Sequence, residues 1–106
     1  AGGASIGIDA AVFGKPTILI HFDGFKRKPH WQSVERFLEY QHPREIIWSH
    51  AMCSVKSVEE LKNQLNLYLN HPELDCEARG KMLRDQCWKL DGRSGARIGE
   101  FLLSLL

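Results

Sequence analysis

The apolar positions along the chain predict helices and short strands that follow one another. Residues 5–13 have a helical period, with Ser5 as the N-cap and Gly14 as the stop. Residues 17–22 (Thr-Ile-Leu-Ile-His-Phe) form a continuous apolar run, which is typical of a strand buried on both faces in a parallel sheet. Residues 31–40 predict a short helix, and residues 46–48 and 52–55 are two further strand candidates.

The second half of the sequence predicts three helices. Residues 57–60 (Ser-Val-Glu-Glu) have the pattern of a capping box and open a helix that reaches about residue 70, before His71-Pro72. A third long helix is expected over residues 74–90 and ends at Asp91-Gly92. Ser94 then caps a final helix with apolar residues on one face, namely Ile98, Phe101, Leu102 and Leu105.

This order of helices and strands predicts an α/β fold. Two strands do not make a stable sheet by themselves, so further strands are expected before residue 1. We therefore expect the carboxyl-terminal part of a Rossmann-like domain, with a mostly parallel sheet whose early strands are missing. The 106 residues suffice for one domain only, and we interpret residues 1–106 as a carboxyl-terminal fragment of a longer protein.

Composition excludes disordered, collagen-like and low-complexity proteins. Hydrophobic residues make up 43% and charged residues 25%, which is typical of a folded globular domain. The 14 basic and 13 acidic residues give no signal for nucleic-acid binding. The three cysteines contain no Cys-x-x-Cys pair, and Cys76 and Cys87 lie too far apart on one helix to form a disulfide. We expect both to be reduced and buried, in a cytoplasmic protein, and we assign no metal site.

The most specific segment is the glycine-rich run that precedes the first helix. Glycines let a ligand approach the backbone, and a helix N-terminus presents free N–H groups that bind phosphate. Asp9 lies one turn after Ser5, where a carboxylate can accept hydrogen bonds from a ribose diol. The alternative reading is that Gly2-Gly3 is a turn, Ser5 an ordinary cap and Asp9 an acid favoured by the helix dipole.

Residues 2–16 (Gly-Gly-Ala-Ser-Ile-Gly-Ile-Asp-Ala-Ala-Val-Phe-Gly-Lys-Pro), followed by the strand at 17–20, resemble the nucleotide-sugar-binding signature of GT-B-fold glycosyltransferases. Residues 57–61 and 68–72 agree with this resemblance, and residues 90–98 resemble the ends of surface-polysaccharide and glycerophosphate-polymer transferases. Asp9 stands where the family more usually has Glu. The resemblance covers nearly the whole chain, as the last third of such an enzyme.

The resemblance implies a site for the donor nucleotide. It assigns the diphosphate to the backbone near Gly3 and Ala4 with Ser5, and the ribose to Asp9, so that the donor-binding residues are Gly2, Gly3, Ala4, Ser5 and Asp9. His21 closes a strand at its carboxyl end, where α/β proteins place ligands, and with Asp23 it is a candidate for lining the pocket. No catalytic residue, metal or cofactor is assigned.

The implied activity is transfer of a sugar or phosphoalcohol unit from a nucleotide-sugar donor to a glycan or polymer acceptor. The fragment alone is expected to be inactive and to self-associate through apolar faces. Two alternatives stay open. One is a UDP-sugar epimerase of the same fold, and the other is a non-catalytic α/β interaction module. Nucleotide binding separates the module from the enzymes, and product analysis separates transfer from epimerisation.

Overall fold

The computed structural model describes residues 5–106 and consists mainly of helices around a small parallel sheet. The helices are α1 (Ser5–Val12), α2 (Gln41–Trp48), α3 (Val58–Asn70), α4 (Cys76–Cys87) and α5 (Ser94–Ser104). The strands are β1 (Ile18–Ile20) and β2 (Cys53–Val55), and two 3₁₀ helices, His30–Gln32 and Val34–Glu39, lie between β1 and α2. The strands pair in parallel, with Ile18 opposite Cys53 and Ile20 opposite Val55.

Helices pack on both faces of this two-stranded sheet. Because side chains alternate along a strand, Leu19, His21 and Ser54 share one face. Leu19 belongs to the buried core, which α1, α2 and α4 also supply and which contains Ala11, Leu19, Ile46, Ala51, Met52, Met82 and Leu83. Helix α3 packs against the opposite face, where Ile18, Leu61, Leu65 and Tyr68 line a groove. Leu19 and Val55 are thereby buried, whereas the other residues of the two strands are half-buried.

Helix α1 packs very closely against the segment that leads into β2. Gly7 is buried, and a Cβ atom at this position would lie 2.4 Å from Sδ of Met52. The helix ends as the sequence predicts, because Gly14 adopts a positive φ of 69° and the amide of Gly14 donates to the carbonyl of Ala11. Gly7 therefore allows the close approach of α1 to Met52, and Gly14 ends the helix.

The expected fold class is wrong. The structure is 60% helix and only 6% strand, a small helical domain in place of the carboxyl-terminal part of a Rossmann-like α/β domain with a mostly parallel sheet. The strand signals at residues 17–22 and 52–55 each produce three residues of strand, and the candidate at residues 46–48 lies in α2. Proline is tolerated in a first helical turn, so Pro43 fits there, and Gln41 Nε2 donates to Glu45 Oε1 one turn later at 2.8 Å.

Other local expectations differ from the structure. Ser94 is the first residue of α5 and does not cap it, because the N-cap position is occupied by Arg93. The predicted helix at residues 31–40 is divided into two 3₁₀ helices at Ser33, which has an extended backbone and whose Oγ accepts from the amide of Glu35. Cys76 is exposed, so the expectation that it is buried is wrong, whereas Cys87 is half-buried beside the core. Cys53, Cys76 and Cys87 are all free thiols.

Helix α5 projects from the rest of the molecule. The chain measures 57 × 36 × 17 Å and has a radius of gyration of 16.9 Å, against about 13 Å for a compact domain of this length. The apolar face of α5 is exposed to solvent, including Ile98, Phe101, Leu102 and Leu105. Among the helices within residues 5–106, none has the length and hydropathy needed to cross a membrane.

Candidate anion-binding site

The residues predicted to bind the donor lie partly outside the described chain. Gly2, Gly3 and Ala4 are outside the described residues. Ser5 is the first residue of α1, and both Ser5 and Asp9 are exposed. Because Ala11 of α1 packs in the same core as Leu19 of β1, α1 covers the face of the sheet that also carries His21.

A cavity lies where the two parallel strands end. His21 directly follows β1 and Lys56 directly follows β2, so the sheet brings these two side chains to one edge. The cavity has a volume of about 530 Å³, and its lining residues are His21, His30, Glu35, Leu38, Glu39, Arg44 and Lys56. Neither Ser5 nor Asp9 lines it. Its size falls within the range of small-molecule sites, about 300–1,000 Å³.

His21 is the buried polar group of this cavity. Only 7% of its surface is exposed. Its backbone amide donates to the carbonyl of Val55 at 2.9 Å, which continues the pairing of the sheet by one residue. In the side chain, Nδ1 lies 2.5 Å from Oγ of Ser54. Burial, and secondly the positive charge of Lys56, lower the pKa of His21, so the ring is neutral at pH 7.

Charged side chains form the rim of the cavity. Nε2 of His30 lies 2.5 Å from Oε1 of Glu39, and both side chains are exposed. The guanidinium of Arg44 lies over the ring of Trp48, 5.3 Å from its centroid. This stacking holds a permanently charged, planar donor group beside the cavity. Arg44 and Lys56 supply positive charge there, and Glu35 and Glu39 supply negative charge.

Asp23 organises the loop that separates β1 from the first 3₁₀ helix. Its Oδ1 accepts from the amide of Val34 at 2.9 Å, and its Oδ2 accepts from the amide of Lys28 at 3.3 Å. The hydrogen bond from Val34 is the main cause of the lowered pKa of Asp23. Asp23 lines a smaller cavity of about 160 Å³, which shares His30 and Glu35 with the larger one. Its carboxylate oxygens are thus occupied with backbone donors.

This arrangement places groups of both charges around one cavity. Two cationic side chains and a neutral imidazole are available as hydrogen-bond donors at the end of a parallel sheet, beside the carboxylates of Glu35 and Glu39. Within residues 5–106, no cluster of three or more His, Cys, Asp or Glu side chains is placed to hold a metal ion.

Sequence reasoning selected His21 but missed Ser54, Lys56 and Arg44. Lys56 had a usable signal, because it follows the strand candidate at residues 52–55 as His21 follows β1. Arg44 had none, because residues 46–48 resembled a strand and the helix that positions Arg44 was not predicted. Ser54 depends on the register between β1 and β2, which joins residues 33 positions apart.

None of the comparisons with known proteins found a match: no family model, curated protein or solved structure matches this chain.

Proposed function

We propose that this chain binds the diphosphate of a nucleotide-activated donor and forms the donor-binding part of a glycosyltransferase. The enzyme moves a sugar or phosphoalcohol unit from the donor to a glycan or polymer acceptor. The observation that supports this most strongly is the cavity at the ends of β1 and β2, where His21, Arg44 and Lys56 converge. The glycine-rich segment at residues 2–16 supports the same class of ligand by resemblance.

The donor groups of the cavity, which lie beside the carboxylates of Glu35 and Glu39, fit the chemistry of such a transfer. As the bond between the donor diphosphate and the transferred unit breaks, negative charge grows on the diphosphate. The Lys56 ammonium and the Arg44 guanidinium stabilise this charge, and the imidazole of His21 donates a further hydrogen bond. Arginine binds phosphate oxygens in a bidentate manner, so Arg44 also orients the leaving group.

The proposed positions of phosphate and ribose lie on one side of the sheet. His21 and Ser54 face the helical layer that contains α1. The resemblance assigns the ribose to Asp9, which lies on the exposed side of α1, opposite the buried Gly7 and Ala11. The free thiols at Cys53, Cys76 and Cys87 support a reducing compartment, so we place this activity in the cytoplasm.

Calorimetric titration of the chain with UDP, CDP and GDP tests the proposal. We expect at least one of these nucleotides to bind. Lys56→Met should weaken its affinity about tenfold or more, which corresponds to the loss of about 1.4 kcal/mol from a charged hydrogen bond. Lys62→Met is the matched control, because Lys62 is an exposed lysine of α3 that does not line the cavity. Absence of binding, or equal effects of the two substitutions, would overturn the proposal.

A second substitution tests the role of Asp9 separately. Asp9→Ala removes the acceptor for the ribose diol, so affinity for the nucleoside diphosphate falls by roughly ten- to a hundredfold. Affinity for inorganic pyrophosphate, which has no ribose, stays unchanged. Thermal stability changes by less than about 1 kcal/mol, the usual contribution of an acid near a helix start. Lost stability with unchanged nucleotide affinity would show that Asp9 is only a helix-start acid.

A further inference from the structure

We propose that Ser54 is a positioning residue, whose hydroxyl holds His21 in the neutral tautomer that carries its proton on Nε2. This N–H then faces the cavity as a fixed donor to a phosphate oxygen, an assignment that rests on the diphosphate site proposed above. Ser54 itself does not line that cavity. It acts through His21, whose Nδ1 lies 2.5 Å from the Ser54 hydroxyl oxygen.

The protein partners of the hydroxyl, which belongs to a half-buried residue, favour one direction for this hydrogen bond. Within residues 5–106, the side chain of Ser54 has His21 Nδ1 as its one hydrogen-bond partner. If Nδ1 carried the proton and donated it, the hydroxyl hydrogen of Ser54 would have no acceptor among these residues. If the hydroxyl donates to Nδ1, both atoms are satisfied. Neutral imidazole has one N–H group, so its proton then lies on Nε2.

The other ring nitrogen of His21, Nε2, is accessible from the cavity. Among the described residues, the only buried side-chain nitrogen or oxygen without a hydrogen-bond partner is Thr17 Oγ1. Nε2 of His21 is therefore accessible from outside the core, although only 7% of the surface of the residue is exposed. Since His21 lines the cavity with Arg44 and Lys56, Nε2 on the ring edge away from Ser54 is the atom that can reach a ligand there.

A neutral donor is appropriate in this environment. Lys56 and Arg44 already supply positive charge, and burial together with Lys56 opposes protonation of His21. His30, Glu35 and Glu39 also face the cavity. A neutral Nε2–H group adds a directional hydrogen bond without further repulsion between cations. Its direction is fixed before the ligand arrives, which lowers the ordering cost of binding.

NMR titration of the His21 ring in the free protein tests the direction of the bond. A hydroxyl that donates to Nδ1 stabilises the neutral ring, so Ser54→Ala raises the pKa of His21, and Ser54→Thr restores it. A hydroxyl that accepts from Nδ1–H stabilises the protonated ring instead. A lowered pKa in Ser54→Ala, or an unchanged one, would therefore overturn the proposal.

Inorganic pyrophosphate is the binding probe for the second part of the test. Ser54→Ala weakens pyrophosphate binding about three- to tenfold, as expected for one neutral hydrogen bond, and Ser54→Thr binds like wild type. His21→Gln, whose amide nitrogen replaces Nε2, retains more affinity than His21→Asn, whose amide nitrogen replaces Nδ1. If wild type binds and Ser54→Ala binds equally well, this inference fails while the proposed function stands. If wild type does not bind, both fail.

Discussion

The protonation state of His21 links the site to the stability of the fold. Its pKa is lowered from the usual value of 6.5, first by burial and then by Lys56. The unfolded chain therefore binds more protons than the folded one at pH values between the folded pKa and 6.5. Stability that His21 provides is complete above pH 6.5 and is lost as the pH falls through this window toward the folded pKa.

His21→Gln removes this dependence, because glutamine does not titrate. We expect the urea midpoint of the wild-type protein to fall more steeply between pH 7.5 and pH 5 than the midpoint of the variant. Comparing the two proteins at each pH cancels the contributions of the other four histidines, which both share. Parallel pH profiles for the two proteins would mean that protonation of His21 does not destabilise the folded state.

At the scale of elements, a network of polar side chains fixes the connection between α3 and α4. The hydroxyl of Tyr68, a buried residue of α3, donates to Oδ2 of Asp75 at 2.7 Å. Arg79, with 3% exposure, donates to the carbonyls of Leu74 at 2.5 Å and Pro72 at 3.1 Å. Asp75 adopts a positive φ of 60°, which is unusual for a residue other than glycine. The network stabilises this turn.

Tyr68→Phe is expected to destabilise the protein by about 1–3 kcal/mol, because it removes a hydrogen bond to a charged group. Burial, and secondly the hydrogen bond to Asp75, raise the pKa of Tyr68, so the wild-type hydroxyl remains a donor at alkaline pH. Urea denaturation measures the loss. Asp75→Asn is the matched control, since it keeps an acceptor oxygen and should cost less. Equal stability of wild type and Tyr68→Phe would show that the network contributes nothing.

The ends of the elements could be predicted from the sequence better than their arrangement. Ser57 caps α3 as expected, with its Oγ accepting from the amide of Glu60 at 3.1 Å. The other half of the capping box differs, because Glu60 accepts from the amide of Lys56 at 2.7 Å. Such local signals involve neighbouring residues. They do not specify how many strands assemble, and for this reason the Rossmann-like expectation was wrong.

The site could be predicted in part for the same reason. A strand end is a local feature, so the sequence could indicate His21 as a candidate. Its pairing with Ser54 needs the register of two strands separated by two 3₁₀ helices and α2. The apolar residues at 46–48 fit a strand equally well by composition, whereas the i,i+4 contact between Gln41 and Glu45 supports the helix. Because α2 is not predicted from the sequence, the position of Arg44 on it is not predicted either.

At the scale of the whole molecule, α5 leaves a large apolar surface in water. Phe101 is 63% exposed and Leu102 is 56% exposed, and they share a face with Ile98 and Leu105. Near the start of the helix, Arg97 pairs with Asp91 and lies 5.3 Å from the ring centroid of Trp88. Burying each large apolar side chain contributes about 1.5–3 kcal/mol, so covering this face by association would stabilise the molecule.

We therefore expect the sedimentation coefficient of the chain to rise with protein concentration. Leu102→Lys places a charge on the apolar face and should give a monomer at concentrations where the wild-type chain associates. Glu100→Lys is the control, because Glu100 is an exposed polar residue of the same helix. A wild-type chain that stays monomeric at the highest attainable concentration would contradict this expectation.

Binding of a diphosphate at the ends of β1 and β2 is tested most directly by NMR. Titration of the isotopically labelled chain with UDP, CDP and GDP should shift the resonances of His21, Arg44 and Lys56 together, with one dissociation constant. The exposed residues of α5 provide an internal reference within the same spectra. Shifts concentrated on those three residues are the predicted result. Saturating nucleotide that leaves all three unchanged would contradict the assignment of this cavity as the donor site.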